Sequence, residues 1–172
     1  MNSESFIDLA NKRYSCRNYS DKPVPAEAIE NILTAARLAP SACNRQPWKF
    51  IVAVSEEAKA KICKAYHRDF IRQAPVLIVV CGIHGEAWHR AADGKDHTDV
   101  DAAIAGEHIC LAATSAGLGS CWICNFEPEA LRALDLPEGT EPIAIIPIGY
   151  PAEGMSAPEK KRKKRDETVV MI

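Results

Sequence analysis

The sequence predicts one α+β domain that carries a C-terminal arm. Segments with helical spacing and short β-rich segments both occur along the chain, and no linker is long enough to divide two domains. The chain has 172 residues, which is the usual size of one domain. Regular patterns stop after Pro151, so we expect a single domain over residues 1–172 in which residues 158–172 form the arm.

Helices are predicted where apolar residues recur at helical spacing between end signals. Ser3 and Asp99 are the expected caps of the first helix and of a long central helix, which Gly117 should end. A second helix begins near Pro25 and must end before Pro40. The predicted helices are 3–12, 25–39, 55–66, 100–116 and 127–134.

Strands are predicted at four short β-rich runs, which are 50–54, 76–81, 120–124 and 142–148. The run 76–81 is continuously apolar, which is typical of a strand covered on both faces. The terminal segment 168–172 is also β-rich. Residues 82–98 show no clear period, so we expect a mobile loop there.

Composition excludes several classes of protein. Hydrophobic residues make up 47% and charged residues 26%, which is a normal globular mixture rather than a disordered, collagen-like or disulfide-stapled one. The longest apolar run, 74–83, has ten residues and includes Pro75, far fewer than the roughly 20 needed to cross a bilayer. The N-terminus lacks a secretory pattern, and seven cysteines mostly embedded in apolar stretches indicate free thiols. We therefore expect a cytoplasmic protein that does not bind a membrane.

Charge is distributed unevenly along the chain. Residues 160–165 hold six of the 21 basic residues, which leaves 15 basic against 23 acidic residues elsewhere. A solvated tail and a site for a phosphate group are both open explanations of this run. Nucleic acid is not an expected partner, because the rest of the chain is acidic.

Several short motifs resemble known binding sites but lack residues that those sites require. Gly117 and Gly119 begin a dinucleotide fingerprint, but Trp122 stands where the third glycine belongs. Cys121 and Cys124 lack a second pair for zinc and fall within a predicted strand, so we expect them to pack in the core. The histidines of the 82–98 loop match no standard metal spacing and are expected to be solvated, so no metal site is predicted; they are His84, His89 and His97.

Three separated segments carry a resemblance to a known family. They are 13–17 (RYSCR), 39–48 (APSACNRQPW) and 117–123 (GLGSCWI), the last followed by 147–151 (PIGYP) and the basic arm. In order and spacing they resemble the nitroreductase family of FMN-dependent oxidoreductases over nearly the whole chain. The resemblance implies a central mixed, mainly antiparallel sheet flanked by helices, with the C-terminal arm exchanged in a homodimer. FMN is the implied cofactor, and its sites would lie at the dimer interface.

Residue chemistry agrees with such a cofactor at its phosphate end. Arginine makes bidentate, charge-assisted hydrogen bonds to phosphate. Arg13 and Ser15 are suited to the phosphate, and Tyr14 lies between them. The resemblance places Lys160 and Arg162 of the arm at the same phosphate. It places Arg17 near N1 and O2 of the flavin ring, where a cation would tune the cofactor.

Other predicted contacts lie along the ring. Asn and Gln side chains offer both donors and acceptors, as a pyrimidine edge requires, although turn and capping roles would also explain them. The resemblance assigns Pro40, Ser41 and Asn44 to FMN bound mainly by the other subunit, and Gln46 is included in the predicted set. The main chain near Cys124 and Asn125 is expected to approach flavin N5, and Trp48 is expected in the core.

The resemblance implies an FMN-dependent NAD(P)H oxidoreductase. Reduced nicotinamide would give hydride to flavin N5, and an electron-poor acceptor such as a nitroaromatic or quinone would then take electrons in a ping-pong cycle. No protein nucleophile or general acid is predicted, and the loop with Trp88 and His89 is the expected lid over the acceptor. A non-catalytic protein that stores, senses or delivers FMN is the alternative. A thiol or zinc protein built on Cys121 and Cys124 is a weaker one.

Overall fold

The computed structural model describes residues 5–172, which form helices on both faces of one sheet. The helices are α1 (Phe6–Lys12), α2 (Ala26–Arg37), α3 (Glu56–Cys63), α4 (Phe70–Gln73) and α5 (Thr98–Ser115). The strands are β1 (Trp48–Ala53), β2 (Val76–Ile83), β3 (Gly119–Ser120) and β4 (Thr140–Gly149). Short 3₁₀ turns occur at Ala42–Asn44, His84–Glu86, Pro128–Leu134 and Arg165–Glu167.

The sheet has the order β1-β2-β4-β3, and every pair of neighbouring strands is antiparallel. One isolated parallel bridge joins Ser15 to Ser120 and brings the segment after α1 to the β3 edge. The predicted α+β class with a mixed, mainly antiparallel sheet is therefore confirmed.

Strand β2 lies at the centre of two hydrophobic clusters. Leu77, Val79 and Cys81 face a cluster that includes Ile62 and Ile71 of α3 and α4. Val76, Ile78 and Val80 face a second cluster that includes Ile109 of α5 and Ile32 of α2. This alternation explains the continuous apolar run, because successive side chains of a strand point to opposite faces.

Several local expectations are corrected. The Ser3 cap lies outside the described residues, and the cap hydrogen bond of α1 comes from Ser5. His97 occupies the N-cap position of α5, so Asp99 lies inside its first turn instead of capping it. Helix α3 ends at Cys63, before the predicted end at residue 66. A further short helix, α4, follows it, and no sequence pattern predicted this helix. The predicted helix 127–134 is a 3₁₀ turn.

The predicted strand 120–124 is also wrong in its extent. Regular pairing stops after Ser120, and only Ile123 forms a further bridge, to Ile145. Trp122 turns its indole onto α5 at Gly106, where a Cβ would clash with the ring. The β-rich residues 168–172 form no regular strand in the single chain, and the side chains of Val170, Met171 and Ile172 are exposed.

Residues 82–98 are better defined than the mobile loop that we expected. Strand β2 continues to Ile83, and an isolated bridge joins His89 to Asp96. The loop is tied to the body by His84, whose two ring nitrogens contact Asp96 at 2.7 Å and Glu141 at 2.5 Å. A bridged imidazole of this kind leaves no periodic trace in the sequence.

Candidate functional site

A cation-lined cavity of about 210 Å³ lies where the segment after α1 meets the arm. The two stretches are far apart in sequence, yet both contribute basic side chains to it. The lining residues are Arg13, Tyr14, Ser15, Arg17 and Pro158, Glu159, Lys160, Lys161, Arg162. Six of the twelve predicted cofactor residues therefore share one cavity. We call it the cationic cavity.

The two halves of the cationic cavity are in direct contact. The Lys160 ammonium donates a hydrogen bond to the Arg13 carbonyl oxygen. Arg13 Nε lies 3.9 Å from Glu107 Oε1 of α5, so one carboxylate offsets part of the positive charge. Burial, followed by the neighbouring Arg13 and Arg162 cations, lowers the pKa of Lys160. An anion bound here would oppose that shift, because it favours the charged form of the lysine.

The first half of the cationic cavity is fixed to the sheet edge. The Cys16 N–H donates to the Ser120 carbonyl oxygen at 2.9 Å, and the Cys16 side chain is fully buried. The buried Tyr19 hydroxyl lies 2.9 Å from the Cys16 carbonyl oxygen and 3.2 Å from that of Pro147. Burial raises the pKa of Tyr19, so its phenol stays protonated as a donor. Arg17 is thereby left exposed beside a rigid backbone.

A second group of predicted residues lies in the connection between α2 and β1, which we call the 41–46 turn. It contains Ser41, Asn44 and Gln46, follows Pro40, and contributes nothing to the lining of the cationic cavity. Within a single chain the structure therefore does not bring the two predicted groups together.

The backbone of the 41–46 turn is strained. Cys43 and Asn44 have φ of 52° and Gln46 has φ of 54°, in the left-handed region that favours glycine. Holding a non-glycine residue there costs on the order of 1–3 kcal/mol, and less for asparagine. Observed strain of this kind is a reason to look for function.

Hydrogen bonds that involve side chains help to hold the turn in this conformation. The Gln46 N–H donates to the Ser41 hydroxyl at 2.9 Å, and the Gln46 amide nitrogen donates to the Asn44 carbonyl at 3.2 Å. The Ala42 N–H donates to Asp101 Oδ1 of α5 at 3.0 Å. Arg45 donates to the Ala87 carbonyl oxygen at 3.2 Å and so links the turn to the 82–98 loop.

Asp101 and Glu107 were missed by sequence reasoning. Both lie on α5, and Asp101 is only 2% exposed although aspartate is rarely buried without a partner. The available signal was an acidic residue directly before the apolar positions Ala102 and Ala105 of a buried helix. The sequence could not show which backbone group the carboxylate holds.

Cys124 and Asn125 are exposed and lie outside the lining of the cationic cavity. The Trp122 indole N–H donates to Cys124 Sγ at 2.7 Å. The expected core packing is correct for Cys121, whose burial raises its thiol pKa, and wrong for Cys124.

Trp48 is half-buried and stacks with Phe50 at 6.4 Å between ring centroids.

The loop histidines are not simply solvated. Hydrogen bonds to Asp96 and Glu141 raise the pKa of His84, and Nε2 of His97 is buried.

Across residues 5–172, no group of three or more His, Cys, Asp or Glu side chains has the arrangement of a metal site. Within the same residues, no helix combines the length and apolarity that a membrane span needs.

The fold and these residues can be compared with known proteins. The family model described as the nitroreductase family matches residues 10–68 and 62–150. A crystal structure of a nitroreductase family protein from Clostridium difficile 630 is 42% identical, has a TM-score of 0.90, and is matched over 97% of this chain and 98% of that one. An FMN-dependent nitroreductase from Clostridium difficile R20291 is 30% identical with a TM-score of 0.81, over 96% of this chain and 98% of that one.

Two further relatives carry functional names. A protein from Methanothermobacter thermautotrophicus, provisionally named NADH dehydrogenase/NAD(P)H nitroreductase, is 36% identical over an alignment of 159 positions that covers 86% of this chain and 78% of the relative. An iodotyrosine deiodinase from Haliscomenobacter hydrossis is 29% identical over 202 residues, covering 99% of this chain and 89% of the relative. Because the family model covers most of the chain and relatives above 30% identity match most of its length, the chain belongs to the nitroreductase family.

Proposed function

We propose that the protein is an FMN-dependent oxidoreductase that takes hydride from NAD(P)H and passes electrons to an electron-poor acceptor such as a nitroaromatic or quinone. The observation that carries the proposal is the cationic cavity, in which two distant basic segments converge. Membership of a family of oxidoreductases and the FMN-dependent relative support the choice of cofactor. The M. thermautotrophicus relative supports NAD(P)H as the reductant.

The residues of the cationic cavity fit the phosphate end of FMN. Its basic side chains outnumber the single lining acid Glu159, and burial, followed by the neighbouring Arg13 and Arg162 cations, lowers the pKa of Lys160. Arg13, Lys160 and Arg162 would hold the phosphate, with Ser15 as a further polar contact and Tyr14 beside it. FMN, when bound, supplies the redox chemistry through its ring.

The remaining residues would orient the ring and set its electrostatic surroundings. Arg17 is exposed two residues beyond Ser15, about 7 Å along an extended segment, so its guanidinium can place a positive charge near N1. Ser41, Asn44 and Gln46 would supply hydrogen bonds to the pyrimidine edge, with Pro40 beside them. The backbone near Cys124 and Asn125 would face N5. None of these groups transfers a proton in the proposed cycle.

A homodimer would bring the two groups of residues to one cofactor. Because the 41–46 turn and the cationic cavity are separate within one chain, we propose that each FMN lies between two subunits. An exposed apolar groove of about 460 Å³ between α1 and α5 is suited to burial against a second copy, since Phe6 at its edge is 66% exposed. Exchange of the arm would also cover the exposed terminal side chains.

The first experiment is spectroscopic. Purified protein should show the absorption of oxidised flavin, and mass analysis of the released cofactor should show FMN. Anaerobic addition of NADH and then NADPH should bleach the spectrum, and an electron-poor acceptor should restore it. A flavin that stays yellow with both nucleotides would identify the non-catalytic alternative instead.

A matched pair of arm variants tests the cavity itself. Arg162 lines the cationic cavity and Lys163, its neighbour, does not. Arg162→Ala should weaken FMN binding several-fold, whereas Lys163→Ala should leave it unchanged. Equal losses in both variants would mean that the arm acts only through its net charge.

Several relatives, the H. hydrossis protein among them, are named iodotyrosine deiodinases, and deiodination has less support here. The alignment with the H. hydrossis deiodinase runs over 202 positions, whereas this chain has 172 residues. At least 30 positions of that enzyme therefore have no counterpart that could contact its substrate. Reduced protein mixed with iodotyrosine under anaerobic conditions should accordingly release no iodide.

A further inference from the structure

The 41–46 turn depends on a buried carboxylate of another element. Asp101 lies on α5, is 2% exposed, and accepts the Ala42 N–H at 3.0 Å through Oδ1. Its other oxygen, Oδ2, is buried and has no hydrogen-bond partner among residues 5–172. A carboxyl side chain that is buried with one oxygen unpaired opposes folding, so stability alone would favour an apolar residue at the position.

The strained backbone of the 41–46 turn indicates a role for the Asp101 carboxylate other than stability. Cys43, Asn44 and Gln46 have positive φ, and Arg45 between the last two is right-handed. Such a conformation persists only where surrounding groups over-determine it. The hydroxyl of Ser41 and the amide of Gln46 act within the turn, whereas Asp101 anchors Ala42 to a long helix of the core.

We propose that Asp101 is a positioning residue, whose buried carboxylate fixes the 41–46 turn so that Ser41, Asn44 and Gln46 face the flavin ring. The inference rests on the proposed function, since it assumes that the turn contacts FMN. Asp101 itself is too deeply buried to touch the cofactor, so its effect on the ring passes through the Ala42 amide.

Two substitutions remove the acceptor in different ways. Asp101→Ala deletes it and leaves a space, whereas Asp101→Leu deletes it and fills the space with an apolar side chain. Both should raise the FMN dissociation constant at least tenfold. They should also lower the midpoint potential of bound flavin, because hydrogen bonds to the pyrimidine edge favour the electron-rich reduced ring.

A conservative variant and a control separate positioning from general stability. Asp101→Asn keeps an oxygen acceptor for the Ala42 N–H, so affinity should stay within about threefold of the original and the potential should be unchanged. Thr114→Val removes another hydrogen bond on α5, from Thr114 Oγ1 to the Cys110 carbonyl oxygen at 2.9 Å. This control should alter thermal stability without moving the potential.

Amide exchange in the FMN-free protein provides a readout that needs no flavin. The Ala42 amide should exchange slowly in the original protein and in Asp101→Asn, and much faster in Asp101→Leu. If FMN binds and Asp101→Leu leaves both the potential and the Ala42 exchange unchanged, the positioning role is refuted while the proposed function stands. If the original protein binds no FMN, the proposed function fails, and with it the assignment of the turn to the flavin.

Discussion

The cationic cavity and the 41–46 turn are built by opposite means. The cavity relies on long basic side chains that extend from an unstrained backbone, and it tolerates exposure of Arg17, Lys161 and Arg162. The turn relies on backbone held in left-handed conformations by short hydrogen bonds, one of them to a buried carboxylate. Charge can act at several ångströms and through many side-chain geometries. Hydrogen bonding to the planar edge of a ring requires fixed donors, which suits the rigid turn to the flavin contact proposed for it.

The largest expected effect comes from removing the arm. Truncation after Ala157 deletes both Lys160 and Arg162, together with the exposed apolar terminus. A charge-assisted hydrogen bond contributes about 1.5–3 kcal/mol, less where the side chain is exposed, so FMN binding should weaken tenfold or more. Dimer formation should be lost in the same variant. Flavin titration and light scattering measure the two effects, and a stable dimer with unchanged affinity would show that the arm is only a solvated tail.

Variants of Arg13 and Arg17 should distinguish residues that bind FMN from residues that set its redox potential. Arg13→Ala should weaken FMN binding about tenfold with little change in potential, because we propose that Arg13 holds the phosphate. Arg17→Ala should lower the flavin potential and slow its reduction more than it weakens binding, because one cation near N1 is lost. Titration and a redox dye equilibration distinguish them. A potential that moves in Arg13→Ala and not in Arg17→Ala would reverse our placement of the two side chains.

A smaller effect is expected from the turn itself. Ser41→Ala removes the acceptor of the Gln46 N–H and should cost about 1 kcal/mol of unfolding free energy. Ser55→Ala removes the cap of α3, which accepts the Ala58 N–H, and should cost a similar amount. Urea unfolding should therefore rank the two variants together, whereas only Ser41→Ala should change the visible spectrum and potential of bound flavin. If bound flavin has the same spectrum and the same potential in both variants, the turn does not contact the flavin ring.

The smallest effect concerns the 82–98 loop, which Arg45 ties to the 41–46 turn. Hydrogen bonds to Asp96 and Glu141 raise the pKa of His84, and hydrogen bonds from Thr98 and His84 lower the pKa of Asp96. The contribution of His84 is complete below its ordinary value near 6.5 and is lost as pH rises through the raised folded value. The contribution of Asp96 is complete above its ordinary value of 3.8 and is lost as pH falls through the lowered one.

The loop should therefore be most strongly held between about pH 4 and 6.5 and should loosen as pH rises through the raised pKa of His84. Amide exchange of residues 84–98, corrected for intrinsic rates, should show this trend in the original protein. His84→Gln should remove it, whereas His67→Gln, at an exposed position, should not. The effect is small because the His84 side chain is 44% exposed and solvent screens its ion pairs. If amide exchange depends on pH equally in the original protein and in His84→Gln, another titratable group causes the pH dependence.

Sequence reasoning succeeded where a pattern repeats or a segment carries concentrated charge. The continuous apolar run of β2 and the spacing of α2 predicted buried elements, and the structure places them in the core. The basic residues near Arg13 and Lys160 were expected at one site, and they line one cavity.

The remainder depends on single contacts between distant residues. Asp101 and Ala42 are 59 positions apart, and His84 and Glu141 are 57 apart, so no local window contains either pair. The left-handed residues of the 41–46 turn include no glycine, which removed the usual signal for such a backbone. The short length of β3 follows from the packing of Trp122 on Gly106, which is likewise a long-range contact.

The composition of the cationic cavity from both ends of the chain has a consequence for biosynthesis. Its walls come from residues 13–17 and 158–162, and the first of these is seated by a hydrogen bond to Ser120. A nascent chain that has not yet exposed residues 160–162 from the ribosome lacks three of the five basic side chains that line the cavity. Closing so long a loop also makes this a late event in folding. Cofactor loading would thus follow translation, and prematurely terminated products would be left without the stabilisation that a bound ligand gives to the folded state.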